Sequence, residues 1–334
     1  MKIEIAAAVL IGLGSHYAFT QITSPLKLQR TIALPAGTDK FDHFAIDLQA
    51  NRLFIAATGN HTVEILDLNT DRVTETLTGL GKPHGLVWLP GNNRLYASDG
   101  AQGDLKSFEG SPLKQVKSIK LSADADDMVY DAHSRLLYVG HGGTDQANPA
   151  RVALIDTVNQ TLVNDLAVAT HPEGLEIDNA RRRVFVNVAG AAEVAVVEGA
   201  TQSFSAPWKI TRAKDNVPVA FDEQHNLLFV ACRTPARLLV LDGDSGREIA
   251  DLPADPGADD LFYDAELKRI YLIAGSGAVD VYQMGANKTV HSLGATATSP
   301  GSKTGLLVPA HHALYVGVVA IGGKEAEIRV YATR

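Results

Sequence analysis

An all-β, seven-bladed propeller of four-stranded blades is the fold this sequence predicts, and three observations predict it. First, one pattern recurs seven times: an apolar strand closing on a turn residue, a polar turn, a second strand, a Gly-rich turn and a third strand. Second, the residues closing the first strands recur at a steady interval. They are Asp47, Leu89, Asp131, Asp178, Asp222, Asp264 and Pro309, at spacings of 42, 42, 47, 44, 42 and 45 residues. A period of about 40–50 residues built from short strands marks a propeller, whereas a β-helix needs a much shorter one. Third, the seventh repeat stops at Tyr331 without a fourth strand, while an unassigned strand, PLKLQRTIALP, lies at the N-terminus. That strand is expected to complete the last blade and close the ring, removing an exposed sheet edge.

The elements follow in order. MKIEIAAAVLIGLGSHYAFTQ reads as a signal peptide over residues 1–20, with Lys2 ahead of an apolar stretch from Ile5 to Gly14. Export to the periplasm or outside the cell is therefore expected, with one propeller domain over 21–334. No later stretch is apolar and long enough for a membrane helix. After the N-terminal strand comes FAID, RLFIAATG and TVEILDL, then a fourth strand RVTETLTGL. The second and third repeats are LVWLPGNNRLYASDG with KQVKSIKL, and MVYDAHSRLLYVGHGG with QTLVNDLAV. LEIDNARRRVFVNVAG opens the fourth, whose last strand, SFSAPWKIT, is irregular. The fifth to seventh open with VAFDEQHNLLFVACR, LFYDAELKRIYLIAGSG and LLVPAHHALYVGVVAIGG. First strands that are apolar at nearly every position suit an innermost strand covered on both faces. Asp at the end of a first strand is turn chemistry.

Composition sets outer limits. The chain has 334 residues, 46% hydrophobic and 20% charged, and a net charge of -8, which disfavours a general nucleic-acid partner. The one cysteine, Cys232, sits in the apolar run LLFVAC and reads as an inert buried thiol. No disulfide within the chain is possible.

The segments RLFIAATGNHTVEILDL and RLYASDG resemble the YVTN-repeat family of seven-bladed propellers, the YncE-like proteins. The resemblance runs from about Pro25 to Arg334. It implies an exported propeller. It does not imply one activity, since the family includes surface proteins, DNA-binding proteins and lactonase-like enzymes. There is no Cys-x-x-Cys-His motif, so no covalent heme is expected.

The candidate functional residues lie where the strands begin. The residues ahead of the first strands ring one mouth of the channel: Asp42, His84, Asp126, Glu173, Val217, Asp259 and Thr304. One step inward come His43, Gly85, Asp127, Gly174, Pro218, Asp260 and Gly305. Lys303 and His171 lie just outside, and second-to-third strand turns add Asn60, His141 and Arg233. The segments ADDMVYD and ADDLFYD place adjacent carboxylates at the entrances of blades three and six. Converging carboxylates repel unless a cation, a proton or water intervenes.

Three arrangements answer that requirement: a solvated polar channel, a divalent metal site, or an anionic ligand held by basic groups. Asp42, Asp126, Asp127, Glu173, Asp259 and Asp260 are the candidate metal ligands. Carboxylates suit Ca²⁺ or Mg²⁺, and His beside them suits Zn²⁺ or Mn²⁺. Asn60, His141, Arg233 and Lys303 are the candidate ligand-binding residues. Two function classes follow. One is a binding or interaction protein that takes an unidentified small molecule or protein at the mouth. The other is a metal-dependent, lactonase-like hydrolase or lyase with His43 or His84 as general base. No Gly-x-Ser-x-Gly elbow, P-loop or HExxH motif is present. His311 and His312 fall in a turn on the opposite face, and the TDQANP insertion (144–149) extends one mouth-side loop of blade three.

Overall fold

The computed structural model describes residues 24–34 and 38–334. The expected signal peptide lies outside the described residues. Seven antiparallel sheets form, one for each repeat. Blade one runs Phe44–Asp47, Arg52–Ala57, Thr62–Asp67 and Arg72–Leu77, each strand beside the one before it. Blades two to six repeat this order. Blade seven takes Gly305–Val308, Ala313–Val318 and Ala326–Ala332 from the end of the chain and Lys27–Leu34 from its start. The closing strand pairs in register from Thr31 opposite Arg329 to Leu34 opposite Ala326, as the repeat pattern predicts. The outer edge of blade four is broken into two short strands, Ser203–Phe204 and Trp208–Lys209, both on Glu193–Glu198. That matches its irregular sequence, in which Pro207 interrupts the ladder.

Local chemistry explains why each repeat turns where it does. The residue before every second strand is left-handed: Asn51, Asn93, Arg135, Arg182, Asn226, Lys268 and His312 all have φ between 48° and 60°. Asn, which tolerates this region best after Gly, fills three of the seven places. The Asp closing the first strand caps the same turn. Asp47 accepts the N–H groups of Gln49 and Ala50, and Asp264 those of Glu266 and Leu267. In blades one and four the Arg opening the second strand returns to that Asp, at 2.8 Å (Arg52–Asp47) and 2.7 Å (Arg183–Asp178). The five strand-closing Asp residues are turn residues, not site residues.

The blades are held to one another by apolar packing. Among the described residues there are seven hydrophobic clusters, and each joins a neighbouring pair of blades. Rings stack across these seams: Phe54 of blade one on Trp88 of blade two (centroids 5.2 Å apart), and Phe229 of blade five beside Tyr263 of blade six. Ile32 and Leu34 of the closing strand are buried in the seam between blades seven and one, so the ring is shut by hydrophobic burial as well as by a ladder. Cys232 is buried at the seam of blades four and five, and burial pushes its thiol up to about 12, as befits an inert thiol. Among the described residues no helix is long and apolar enough to cross a membrane.

Candidate functional site at the channel mouth

Propeller geometry brings the entrances of the innermost strands together around the axis, and the charged ones meet in a cavity of about 370 Å³. It is lined by Asp42, His43, His84, Asp126, Asp127, Glu173, Arg233, Asp259, Asp260 and Lys303. Of the candidate metal-ligating, catalytic and ligand-binding residues, Asn60 and His141 do not line it. His141 is buried against the outer strand of its own blade. Its Nδ1 accepts the Ser122 N–H and its Nε2 donates to Asp165 at 3.0 Å, which fixes it as a structural histidine. His311, on the far face, faces the Tyr315 hydroxyl.

The two members of each ADD pair do different things. The second member fastens one blade to the next. Asp127 accepts the N–H of Leu175 in blade four at 2.9 Å, and Asp260 that of Gly305 in blade seven at 2.7 Å. These backbone groups have no ladder partner on the channel side, so the carboxylates satisfy donors that would otherwise be buried unpaired. The first member sits between basic side chains from both sides. Asp126 lies between His84 Nδ1 (3.3 Å) and His171 Nε2 (3.4 Å). Asp259 lies between Arg233 and Lys303, the latter at 2.6 Å.

Three histidines tie these acids together. His84 is buried with Nδ1 2.7 Å from Asp42, while its Nε2 is turned toward Gly100 and has no hydrogen-bond partner among the described residues. His43 has carboxylates at both nitrogens: Asp260 at Nδ1 (3.0 Å), and Asp42 and Asp127 at Nε2 (3.6 and 4.0 Å). Burial by itself would lower its pKa, but Asp127, Asp260 and Asp42 outweigh that and hold it well above the usual 6.5. His171 behaves alike: burial is outweighed by Asp126 and by the Gly142 carbonyl that accepts its Nδ1–H, and its pKa rises to about 9. Asp126 is the counterpart, opposed by burial yet held well below the carboxylate range by His84 and His171. Asp127 goes the other way, pushed up to about 6 by burial.

Three lining cations were not singled out as site residues: Lys40, Lys82 and His171. Together with Asp124 they occupy one register, two residues before Asp42, His84, Glu173 and Asp126 respectively, so the repeat alignment contained the signal. Lys40 lies 3.5 Å from Asp42, and Lys82 3.0 Å from Asp124. Two donor sets converge closely enough for a metal ion: Asp42, His43 and Asp126, and Asp126, His171 and Glu173, each with ligand atoms within 4.8 Å of one another. Asp126 belongs to both.

Below this polar level the lining turns apolar. Every blade contributes one side chain at the same register, Phe44, Leu86, Met128, Leu175, Val219, Leu261 and Leu306, forming a complete collar.

No family model matches the chain. Over 146 residues, 42% of its length, it is 25% identical to the Seven-bladed beta-propeller protein Rv1057 of Mycobacterium tuberculosis. The match spans 36% of that relative, about a third of its length. The fold is also similar to that of a chain from Kuenenia stuttgartiensis Hydrazine Synthase, with a TM-score of 0.76 over 87% of this chain and 96% of that one. The two are 16% identical, a likeness that speaks for the fold alone. Blade count, closure and both comparisons agree on the fold of this chain, a seven-bladed β-propeller.

Proposed function

We propose that this chain is an exported binding propeller of the YVTN-repeat type, and that its mouth holds one divalent metal ion. The observation that carries the reading is Asp126, the shared member of two convergent donor sets that each include a histidine. Mixed carboxylate and imidazole donors favour Zn²⁺ or Mn²⁺ over Ca²⁺ and Mg²⁺, which take oxygen ligands. Binding an ion there exchanges it for the proton that His43 or His171 otherwise carries. Binding is favoured over hydrolysis because neither proposed base is placed to act as one. His43 is held as an imidazolium between carboxylates, and the free nitrogen of His84 faces Gly100.

The test is elemental analysis of protein purified without chelator or metal-binding tag, for the wild type, Asp126→Ala, His43→Ala and His171→Ala. Near-stoichiometric metal that is lost in Asp126→Ala supports the reading, and the histidine variants then identify which donor set is used. A wild type that takes up none of Ca²⁺, Mg²⁺, Mn²⁺ or Zn²⁺, or an Asp126→Ala protein that keeps its metal, overturns it.

A further inference from the structure

Beneath the apolar collar one register of the described residues carries a single carboxylate. At the register after the collar, six blades place Ala45, Val87, Val129, Ala220, Phe262 and Leu307, and blade four places Glu176. Glu176 and Phe262 line the same cavity as the mouth residues. Glu176 Oε1 accepts the N–H of Ile177 at 2.8 Å, and among the described residues no Lys, Arg or His is paired with it. Burial, with the like charge of Asp127 above, pushes its carboxyl up to about 7. A carboxylate in such a place is costly unless a cation from outside reaches it. The described residues supply none, and the side chains between Glu176 and the mouth are apolar.

We propose that the channel below the mouth is a subsite for the ammonium end of an aliphatic amine, with Glu176 as its acceptor and the collar packed around its hydrocarbon chain. Three features select this class. Glu176, with which no cation is paired among the described residues, attracts a cation and repels an anion. The collar offers methylene-sized apolar contact from all seven blades and no hydrogen bond, so it rewards a plain carbon chain. From Glu173 at the mouth to Glu176 is three residues of extended strand, about 10 Å, a depth that a bare metal or ammonium ion does not span. The cavity, about 370 Å³, is within the range of small-molecule sites. The inference goes beyond the metal site, whose donors lie above the collar.

The experiment is calorimetric titration of the protein with pentylamine, pentanol and ammonium chloride. Pentylamine is expected to bind at least tenfold more tightly than either of the others, because each lacks half of the recognition. Glu176→Gln keeps the shape and the bond from Ile177, and is expected to weaken pentylamine at least tenfold. Val219→Phe narrows the collar without touching the carboxyl, and is expected to abolish pentylamine binding. Equal affinity in Glu176→Gln, equal affinity for ammonium and pentylamine, or no pentylamine binding by the wild type overturns the inference. Metal content is read on the same samples. Amine binding without metal sinks only the metal site, and metal without amine binding sinks only the subsite.

Discussion

Replacing Glu176 by Gln should make this protein more stable at alkaline pH, although nothing is added to its core. Glu176 has an ordinary pKa of 4.5 in the unfolded chain and about 7 in the folded one, because burial in the channel wall disfavours its charge. A raised carboxyl is a destabilising one, and the sign follows from proton counting. Below pH 4.5 both states hold the proton and no penalty exists. As pH rises toward 7 the unfolded state ionises first and is favoured. Above about 7 both states are ionised and the whole penalty is present. The interval from 4.5 to about 7, at about 1.4 kcal/mol per pH unit, comes to about 3 kcal/mol as an order of magnitude. Gln retains an oxygen for the Ile177 N–H and carries no charge to bury. Urea unfolding of the two proteins in the presence of chelator should show near-equal stability at pH 4. At pH 8 Glu176→Gln should be ahead by about 3 kcal/mol. A Gln variant that is less stable at pH 8, or a difference that does not change with pH, would refute the placement of this carboxyl in a poorly solvated channel. A destabilising charge retained at the bottom of a cavity is what a binding group would look like.

Two other perturbations test the architecture around the site. Asp260→Ala strands the buried Gly305 N–H and removes the acceptor 3.0 Å from His43 Nδ1, so denaturant unfolding should register a loss of about 3–5 kcal/mol; a loss under about 1 kcal/mol would mean water replaces the carboxylate. Ile32→Ala opens a cavity in the seam closed by the N-terminal strand, where Ile32 is 2% exposed, and should cost about 2–5 kcal/mol. Thermal unfolding checks it, and a change within about 0.5 kcal/mol would show that the ring does not depend on this strand for closure.

How much of this was legible from the residues differs between fold and site. The seven-fold pattern, the four strands per blade and the closure by PLKLQRTIALP are local or periodic properties, and apolar alternation with turn residues at steady spacing encodes them directly. Because the symmetry is encoded, so is convergence: residues at one register of seven repeats must meet around one axis. That is why Asp42, His43, His84, Asp126, Asp127, Glu173, Asp259, Asp260, Arg233 and Lys303 could be placed at one mouth before any contact was known.

Pairing could not be placed in the same way. The repeats do not say that Asp127 and Asp260 turn aside to fasten the next blade, whereas Asp126 and Asp259 face cations. That choice depends on which backbone N–H groups the neighbouring blade leaves unpaired. His141 shows the same limit. Its position in the repeat allows it to face the mouth, but Asp165 and the Ser122 N–H on the outer side satisfy both ring nitrogens. Glu176 drew no attention as one polar residue in an otherwise apolar strand, and its isolation emerges only once the channel is closed and, among the described residues, no cation is paired with it. The sequence by itself determined the ring and the level of every side chain along it. Tertiary structure decided which side chains neutralise one another and which remain for a ligand, since charge balance depends on distances of a few ångströms across blades that are some forty residues apart in the chain.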